Sequence, residues 1–131
     1  MADIPAHFSC IKLIVADLEK AHAFYTSVFG LVETARVDAA IEGRPISEIM
    51  FQPTASGGST FVLLTYPDTK KPALSEAITL FIVPDLAALP DKVHAAGGRI
   101  VEEARDMPEH GVRVVFARDN EGHLIEIVQM L

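Results

Sequence analysis

The chain has 131 residues, half of them hydrophobic and 22% charged, with 18 acidic against 11 basic side chains for a net charge of -7. This length suits one domain with a substantial core, and the composition is that of an ordered globular protein rather than a disordered one. The acidic balance, with Lys70-Lys71 as the only adjacent basic pair, sets nucleic acid aside, and no apolar stretch approaches the roughly 20 residues that cross a bilayer.

The start, Met1-Ala2-Asp3-Ile4-Pro5, lacks the basic-then-apolar order of a secretion signal, and the single Cys10 forms no internal disulfide, so a cytoplasmic protein is expected. Phe8 to Val15 is apolar and β-branched and predicts a strand buried on both faces. Asp17 follows as an N-cap, with Lys20 in the place of the Glu or Gln of a capping box. Leu18, Ala21, Phe24, Tyr25 and Val28 then recur at helical spacing, and Gly30 suits the residue just past the helix end. Three strands are expected next: Val32 to Val37, Ile46 to Phe51 and Thr60 to Tyr66. Gly43-Arg44-Pro45 and Ser56-Gly57-Gly58-Ser59 provide the turns. The order is βαβββ.

Pro67-Asp68-Thr69-Lys70-Lys71-Pro72 is polar and flanked by prolines, which predicts a surface linker. The same order then returns. A strand spans Ile78 to Val83, and a short helix spans Ala87 to Ala96, interrupted near its start by Pro90 and ended by Gly97-Gly98. Strands at Arg99 to Glu102, Arg113 to Ala117 and His123 to Gln129 follow, with Asp119-Asn120-Glu121-Gly122 as a tight turn. The run Cys10-Ile11-Lys12-Leu13-Ile14-Val15-Ala16-Asp17-Leu18 matches Ile78-Thr79-Leu80-Phe81-Ile82-Val83-Pro84-Asp85-Leu86 in pattern, and the same displacement carries Gly30 onto Gly98. A period this long lies outside the range of solenoid repeats and indicates a duplicated module. The expectation is an α+β fold in a single domain over residues 1–131, with modules at about 7–66 and 76–131.

Leu13-Ile14-Val15-Ala16-Asp17-Leu18, Ala23-Phe24-Tyr25-Thr26-Ser27-Val28-Phe29-Gly30-Leu31 and Asp119-Asn120-Glu121-Gly122-His123-Leu124-Ile125-Glu126-Ile127, set in that repeat, resemble the vicinal oxygen chelate superfamily. That superfamily includes glyoxalase I, extradiol dioxygenases, and bleomycin- and fosfomycin-resistance proteins. The resemblance covers nearly the whole chain. It implies a glyoxalase-like fold in which two βαβββ modules form a curved mixed sheet around a cup, in many small members shared between the subunits of a homodimer. The metal ligands it implies fall on Cys10, Leu63, Ile78 and Glu126, and only Glu126 keeps a ligand type usual for its position. A divalent metal in an enzyme site takes at least three N, O or S donors, and Glu126 with Cys10 supplies two. His7, His22, His94 and His110 fall outside these strands, and the odd spacing of His123 from Glu126 puts the two on opposite faces. No metal ligand set and no cofactor is therefore expected.

If Cys10 faces the cup, period-two alternation brings Lys12 and Ile14 with it; Phe61, Leu63, Thr65, Ile78, Leu80, Ile82, Leu124, Glu126 and Val128 are assigned to the same side. An ionised Glu126 in such surroundings needs a partner or a raised pKa, and Lys12 is the candidate partner. Glu126 then reads either as a general base whose developing oxyanion Lys12 stabilises, or as half of a structural ion pair, or as a group facing water at the cup's mouth. Cys10 reads as a nucleophile or an inert thiol, His110 as a loop group reaching a ligand or a solvated one, and Arg113 as a carboxylate clamp or a half-exposed strand residue. Cys10, Phe61, Leu63, Ile78, His110 and Arg113 make up the expected ligand-binding set, with Glu126 and Lys12 as the catalytic candidates. The function implied is a glyoxalase/bleomycin-resistance-like protein that binds a small organic, largely apolar ligand. The alternatives are a lyase, isomerase or dioxygenase-related enzyme, lactoylglutathione lyase-like or metal-free with Glu126 as base, and an interaction subunit with a vestigial cup. The expected partners are a small molecule and a second copy of the chain, with neither nucleic acid nor membrane.

Overall fold

The computed structural model describes residues 9–69 and 77–131. Strand β1 (Lys12–Ile14), helix α1 (Leu18–Phe29) and strands β2 (Glu33–Ile41), β3 (Arg44–Phe51) and β4 (Val62–Thr65) form the first module. Strand β5 (Thr79–Ile82), helix α2 (Leu89–Ala95) and strands β6 (Arg99–Met107), β7 (Val112–Arg118) and β8 (Leu124–Met130) form the second, with a 3-10 turn at Pro108–His110 before β7. The strand orders are β1-β4-β3-β2 and β5-β8-β7-β6, so the two sheets repeat one topology. Each is mixed, with its first and last strands parallel and the remaining pairs antiparallel. This is the α+β arrangement of two βαβββ modules expected from the sequence.

The first helix forms where the pattern placed it. The Asp17 carboxylate accepts from the Lys20 amide at 3.0 Å, which satisfies one of the free N–H groups of the first turn. The stripe Ala21, Phe24, Tyr25 and Val28 is buried, and Gly30 ends the helix in the left-handed region at φ 67°. In the second module these roles are divided. Gly97 takes the positive φ of 92°, whereas a Cβ on Gly98 would lie 2.5 Å from the Arg118 carbonyl oxygen and 2.8 Å from Phe24. Gly98 is thus required for close packing, and its match to Gly30 is one of position rather than of role.

Several boundaries differ from expectation. Strand β1 is a three-residue edge strand, and Ile11 before it is 67% exposed, so it is not a strand buried on both faces. The β2–β3 hairpin turns at Glu42-Gly43, both with positive φ, as a two-residue loop matched to strand twist requires; Arg44 and Pro45 belong to β3. Pro90 does not interrupt α2 but occupies its first turn, where its missing N–H leaves no bond unmade. Strand β6 runs on to Met107 through two register shifts, at Ile100/Glu102 and Glu102/Arg105, which bend the sheet. Of the expected linker, Lys70, Lys71 and Pro72 lie outside the described residues, as do His7 and Phe8.

One hydrophobic cluster joins the two modules. Leu13, Phe24, Ile49 and Leu63 from the first pack with Val93, Val115 and Ile127 from the second, and Phe29 stacks on Phe81 with ring centroids 3.9 Å apart. A polar seam runs beside it. The Asp119 carboxylate accepts from the Tyr25 hydroxyl at 2.8 Å, from the His123 and Glu121 amides at 2.9 Å each, and from His123 Nδ1 at 2.9 Å. The other ring nitrogen of His123 donates to the Ile14 carbonyl at 3.0 Å, and the Glu121 carboxylate accepts from the Ala16 and Asp17 amides at 2.7 and 2.9 Å. Since both partners of the ring are acceptors, the imidazole carries both protons. Burial opposes that charge, but the hydrogen bond and attraction of Asp119 outweigh it and raise the His123 pKa. Burial likewise opposes the Asp119 charge, and His123 outweighs it and holds the carboxyl below its ordinary value. The turn of the second module is thereby fastened to the strand-to-helix junction of the first.

Candidate functional site

The register fixes which side chains share a face. Leu13 pairs with Leu63 and Leu63 with Ile49, and all three lie in the core under the helices. Alternation then sets Lys12, Ile14, Ile46, Glu48, Met50, Val62 and Leu64 on the face away from the helices. In the second sheet Ile125 and Ile127 face the core, so Leu80, Glu126 and Phe116, which are paired in that order across β5, β8 and β7, lie on the helix-free face.

This geometry corrects part of the expected site. Leu63 is fully buried against the helices and does not face the cup, and Thr65 shares its side and donates to the Ala16 carbonyl. Phe61, expected as a ligand contact, packs against the core with its ring centroid 5.0 Å from that of Tyr25. The residue of β4 that matches Glu126 in the repeat is Val62: Leu13 and Phe81 correspond, and they pair with Leu63 and Ile127 respectively. Arg113 lies on the helix side of β7, opposite Gln129, and its guanidinium donates to Asp106 at 2.6 Å, holding that carboxyl below its usual range. As a carboxylate clamp it is already occupied from within the chain. His110 is exposed in the 3-10 turn, and Cys10 is a half-buried free thiol just before β1. Ile78 is 55% exposed at the start of β5, in a row with Leu80 and Ile82.

Lys12 has a partner other than the expected one. Its ammonium donates to Glu48 Oε1 at 2.5 Å, and Glu48 is only 4% exposed on a face that also carries Ile14, Met50 and Leu64. A carboxylate in such surroundings carries a desolvation penalty of several kcal/mol unless an opposite charge meets it. Lys12 meets it, and its own side chain stays 44% exposed. Glu126, half-buried between Leu80 and Phe116, does not receive that ammonium. Sequence reasoning missed Glu48. The signal was a single carboxylate at alternate spacing between the apolar Ile46 and Met50.

The positions where a divalent ion would be held do not fit one. Cys10, Val62 and Ile78 offer a single thiol and two hydrocarbon side chains beside Glu126, and among the described residues no group of three His, Cys, Asp or Glu side chains is placed to bind a metal. No chemical step is therefore assigned to a metal here.

Comparison with solved structures gives the fold independently. The chain is similar to a glyoxalase family protein from Bacillus cereus, with 20% identity, coverage of 98% of this chain and 97% of that one, and a TM-score of 0.82. It is similar to a fosfomycin resistance protein from Listeria monocytogenes at 19% identity, covering 98% and 96% of the two chains with a TM-score of 0.68. A glyoxalase I mutant from Zea mays matches at 18% identity and a TM-score of 0.76, and there 98% of this chain covers 48% of the maize chain. Among curated proteins none matches the sequence. The family model described as Glyoxalase/Bleomycin resistance protein/Dioxygenase superfamily matches residues 5–127. On that match the chain belongs to the Glyoxalase/Bleomycin resistance protein/Dioxygenase superfamily.

Proposed function

We propose that the protein binds a small organic, largely apolar ligand against the helix-free faces of its sheets, without a resident divalent metal. The observation that carries this reading is the make-up of those faces: hydrocarbon side chains such as Ile14 and Leu80 lie beside ionisable groups, Lys12, Glu48 and Glu126 among them, while the ligand positions of the family hold too few donors for a metal. It acts as a homodimer in the cytoplasm. Ile78, just before the edge strand β5, and Leu80 and Ile82 on it, each more than half exposed, are an apolar row that a second copy would cover. The maize chain, about twice as long as this one, offers one chain with room for two such units. Cys10 is a free thiol, as suits a reducing compartment, and among the described residues no helix is long and apolar enough to cross a membrane.

A second reading adds catalysis. Glu126 is half-buried on the ligand face and does not have the Lys12 ammonium, so it is free to accept a proton from a bound carbon acid, as in a metal-free lyase or isomerase. A thermal-shift screen of aromatic acids, thiol adducts of 2-oxoaldehydes and hydrophobic antibiotics tests the binding reading, with metal analysis of the purified protein alongside. Stabilisation by at least one compound class, in protein without stoichiometric metal, is the expected result. A tightly held metal lost to chelator together with activity, or no stabilisation by any class, rejects the reading. Light scattering should give twice the 14.2 kDa chain mass.

A further inference from the structure

We propose that the ligand is an apolar organic anion, a carboxylate, phenolate or sulfonate, and that the Lys12 ammonium, held in place by Glu48, is the anchor for its charged group; this rests on the ligand-binding reading above. The inference starts from an asymmetry within one ion pair. Glu48 is 4% exposed and Lys12 44%, so the carboxylate is covered and the ammonium is the member an arriving ligand meets. An ammonium has three donors, and Glu48 Oε1 takes one of them. The remaining donors belong to a cation held beside Ile14, Val62 and Leu64 and open to an incoming anion. Glu48 makes that fixation possible: a flexible lysine alone would leave the apolar surface for bulk water, and the buried carboxylate ties it down. Glu48 is a positioning residue, and Lys12 is the contact.

The charge distribution agrees. The chain carries a net -7, yet among residues held in strand register on the helix-free faces the cations outnumber the carboxylates. Alternation sets Arg99, Arg105 and Arg118 on that face of the second sheet, against Glu102 and Glu126. Arg118 is occupied by the Gly122 carbonyl, but an acidic protein whose helix-free faces carry more cations than carboxylates favours a small anion there over the rest of its surface.

Three ligands of one shape separate charge from apolar burial: 2-naphthoate, its neutral isostere 2-naphthamide, and the cation 2-naphthylmethylammonium. They are titrated into the full chain while amide shifts of Val62, Leu64, Leu80 and Glu126 are followed by NMR. The expected result is naphthoate bound about tenfold more tightly than naphthamide, the scale of a charge-assisted hydrogen bond. The preference should survive in Lys12→Arg and vanish in Lys12→Met. Because Lys12→Met strands a buried carboxylate and could unfold the chain, the Lys12→Met/Glu48→Gln double variant repeats the measurement with the pair neutral. Equal binding of naphthoate and naphthamide by the wild type, a preference unchanged in the double variant, or tightest binding of the ammonium overturns the anion assignment and leaves the ligand-binding reading standing. No binding of any of the three, or shifts confined to other residues, overturns both.

Discussion

Replacing Asp119 with alanine should remove much of the stability of the fold. The Asp119 side chain is 1% exposed and accepts from the Tyr25 hydroxyl, two backbone amides and the His123 ring. Each buried donor left without a partner costs about 1–3 kcal/mol, and removing one member of a buried ion pair costs about 3–5 kcal/mol because the other charge is stranded. These losses overlap, since the imidazole sheds its proton once Asp119 is gone, so the whole comes to about 4–6 kcal/mol out of a typical 5–15 kcal/mol. Asp119→Asn keeps an acceptor for the two amides but loses the charge and the acceptor that meets the Tyr25 hydroxyl and the His123 ring, for about 2–4 kcal/mol. Urea unfolding followed by circular dichroism at pH 5.5 measures both, and an alanine variant within about 1 kcal/mol of wild type refutes the reasoning. The pH dependence provides a second check. The folded pKa of His123 is raised, so its contribution is complete below the unfolded value of 6.5 and is lost as pH rises through the higher folded value. That of Asp119 is lowered, so its contribution is complete above 3.8 and is lost as pH falls through the lower folded value. The seam is therefore strongest between those ordinary values and weakens on the alkaline side by deprotonation of His123. The fall in stability from pH 5.5 to 9 should be larger in wild type than in His123→Asn, and equal slopes contradict the assignment of an imidazolium.

Other perturbations follow from the same geometry. Lys12→Met should destabilise by about 1–3 kcal/mol, discounted because the lysine is half exposed, and the added Glu48→Gln should restore most of the loss; additive losses in the double variant, measured by denaturant melts, contradict the pairing. Gly98→Ala should cost about 2–4 kcal/mol because its Cβ meets a backbone oxygen, whereas Gly30→Ala should cost about 1 kcal/mol, from the positive φ alone. Equal melting temperatures for the two variants would show that the two glycines do the same work. Added zinc, nickel, manganese or ferrous ion should leave the melting temperature unchanged, and a saturable rise with any of them contradicts the donor count at the family positions. Where turnover of a bound carbon acid is found, Glu126→Gln should abolish it with ligand affinity within a few fold, and retained turnover removes Glu126 from the chemistry.

The duplicated topology was readable because it rests on punctuation that is local: Asp17 as a cap, Gly30 and Gly97 as stops, and Asp119 to Gly122 as a turn. The faces of β4 were not. Val62, Leu63, Leu64 and Thr65 are all buried, so alternation within the strand carries no contrast, and only pairing with β1 and β3 tells which parity lies under the helices. The same ambiguity put Phe61 and Leu63 on the ligand side. In β1 the alternation of Lys12 with Leu13 was informative, and Lys12 does lie on the helix-free face with Ile14. Its partner was out of reach because Glu48 is distant in sequence and becomes adjacent only through β4. His123 shows the same limit. Its spacing from Glu126 correctly excluded a shared ligand face, but nothing local announced that its ring would close on the carbonyl of Ile14.

The fastening of the Asp119 to His123 turn onto the first module has a consequence for how the two copies could ever be separated. In the first module the corresponding loop between β3 and β4 is the exposed stretch around Ser56 and Gly57, and among the described residues its backbone hydrogen bonds stay within that module. A chain severed between the modules would keep its address for reassembly in side chains rather than in the covalent thread, with that turn supplying the polar part of the match and the shared hydrophobic cluster the rest.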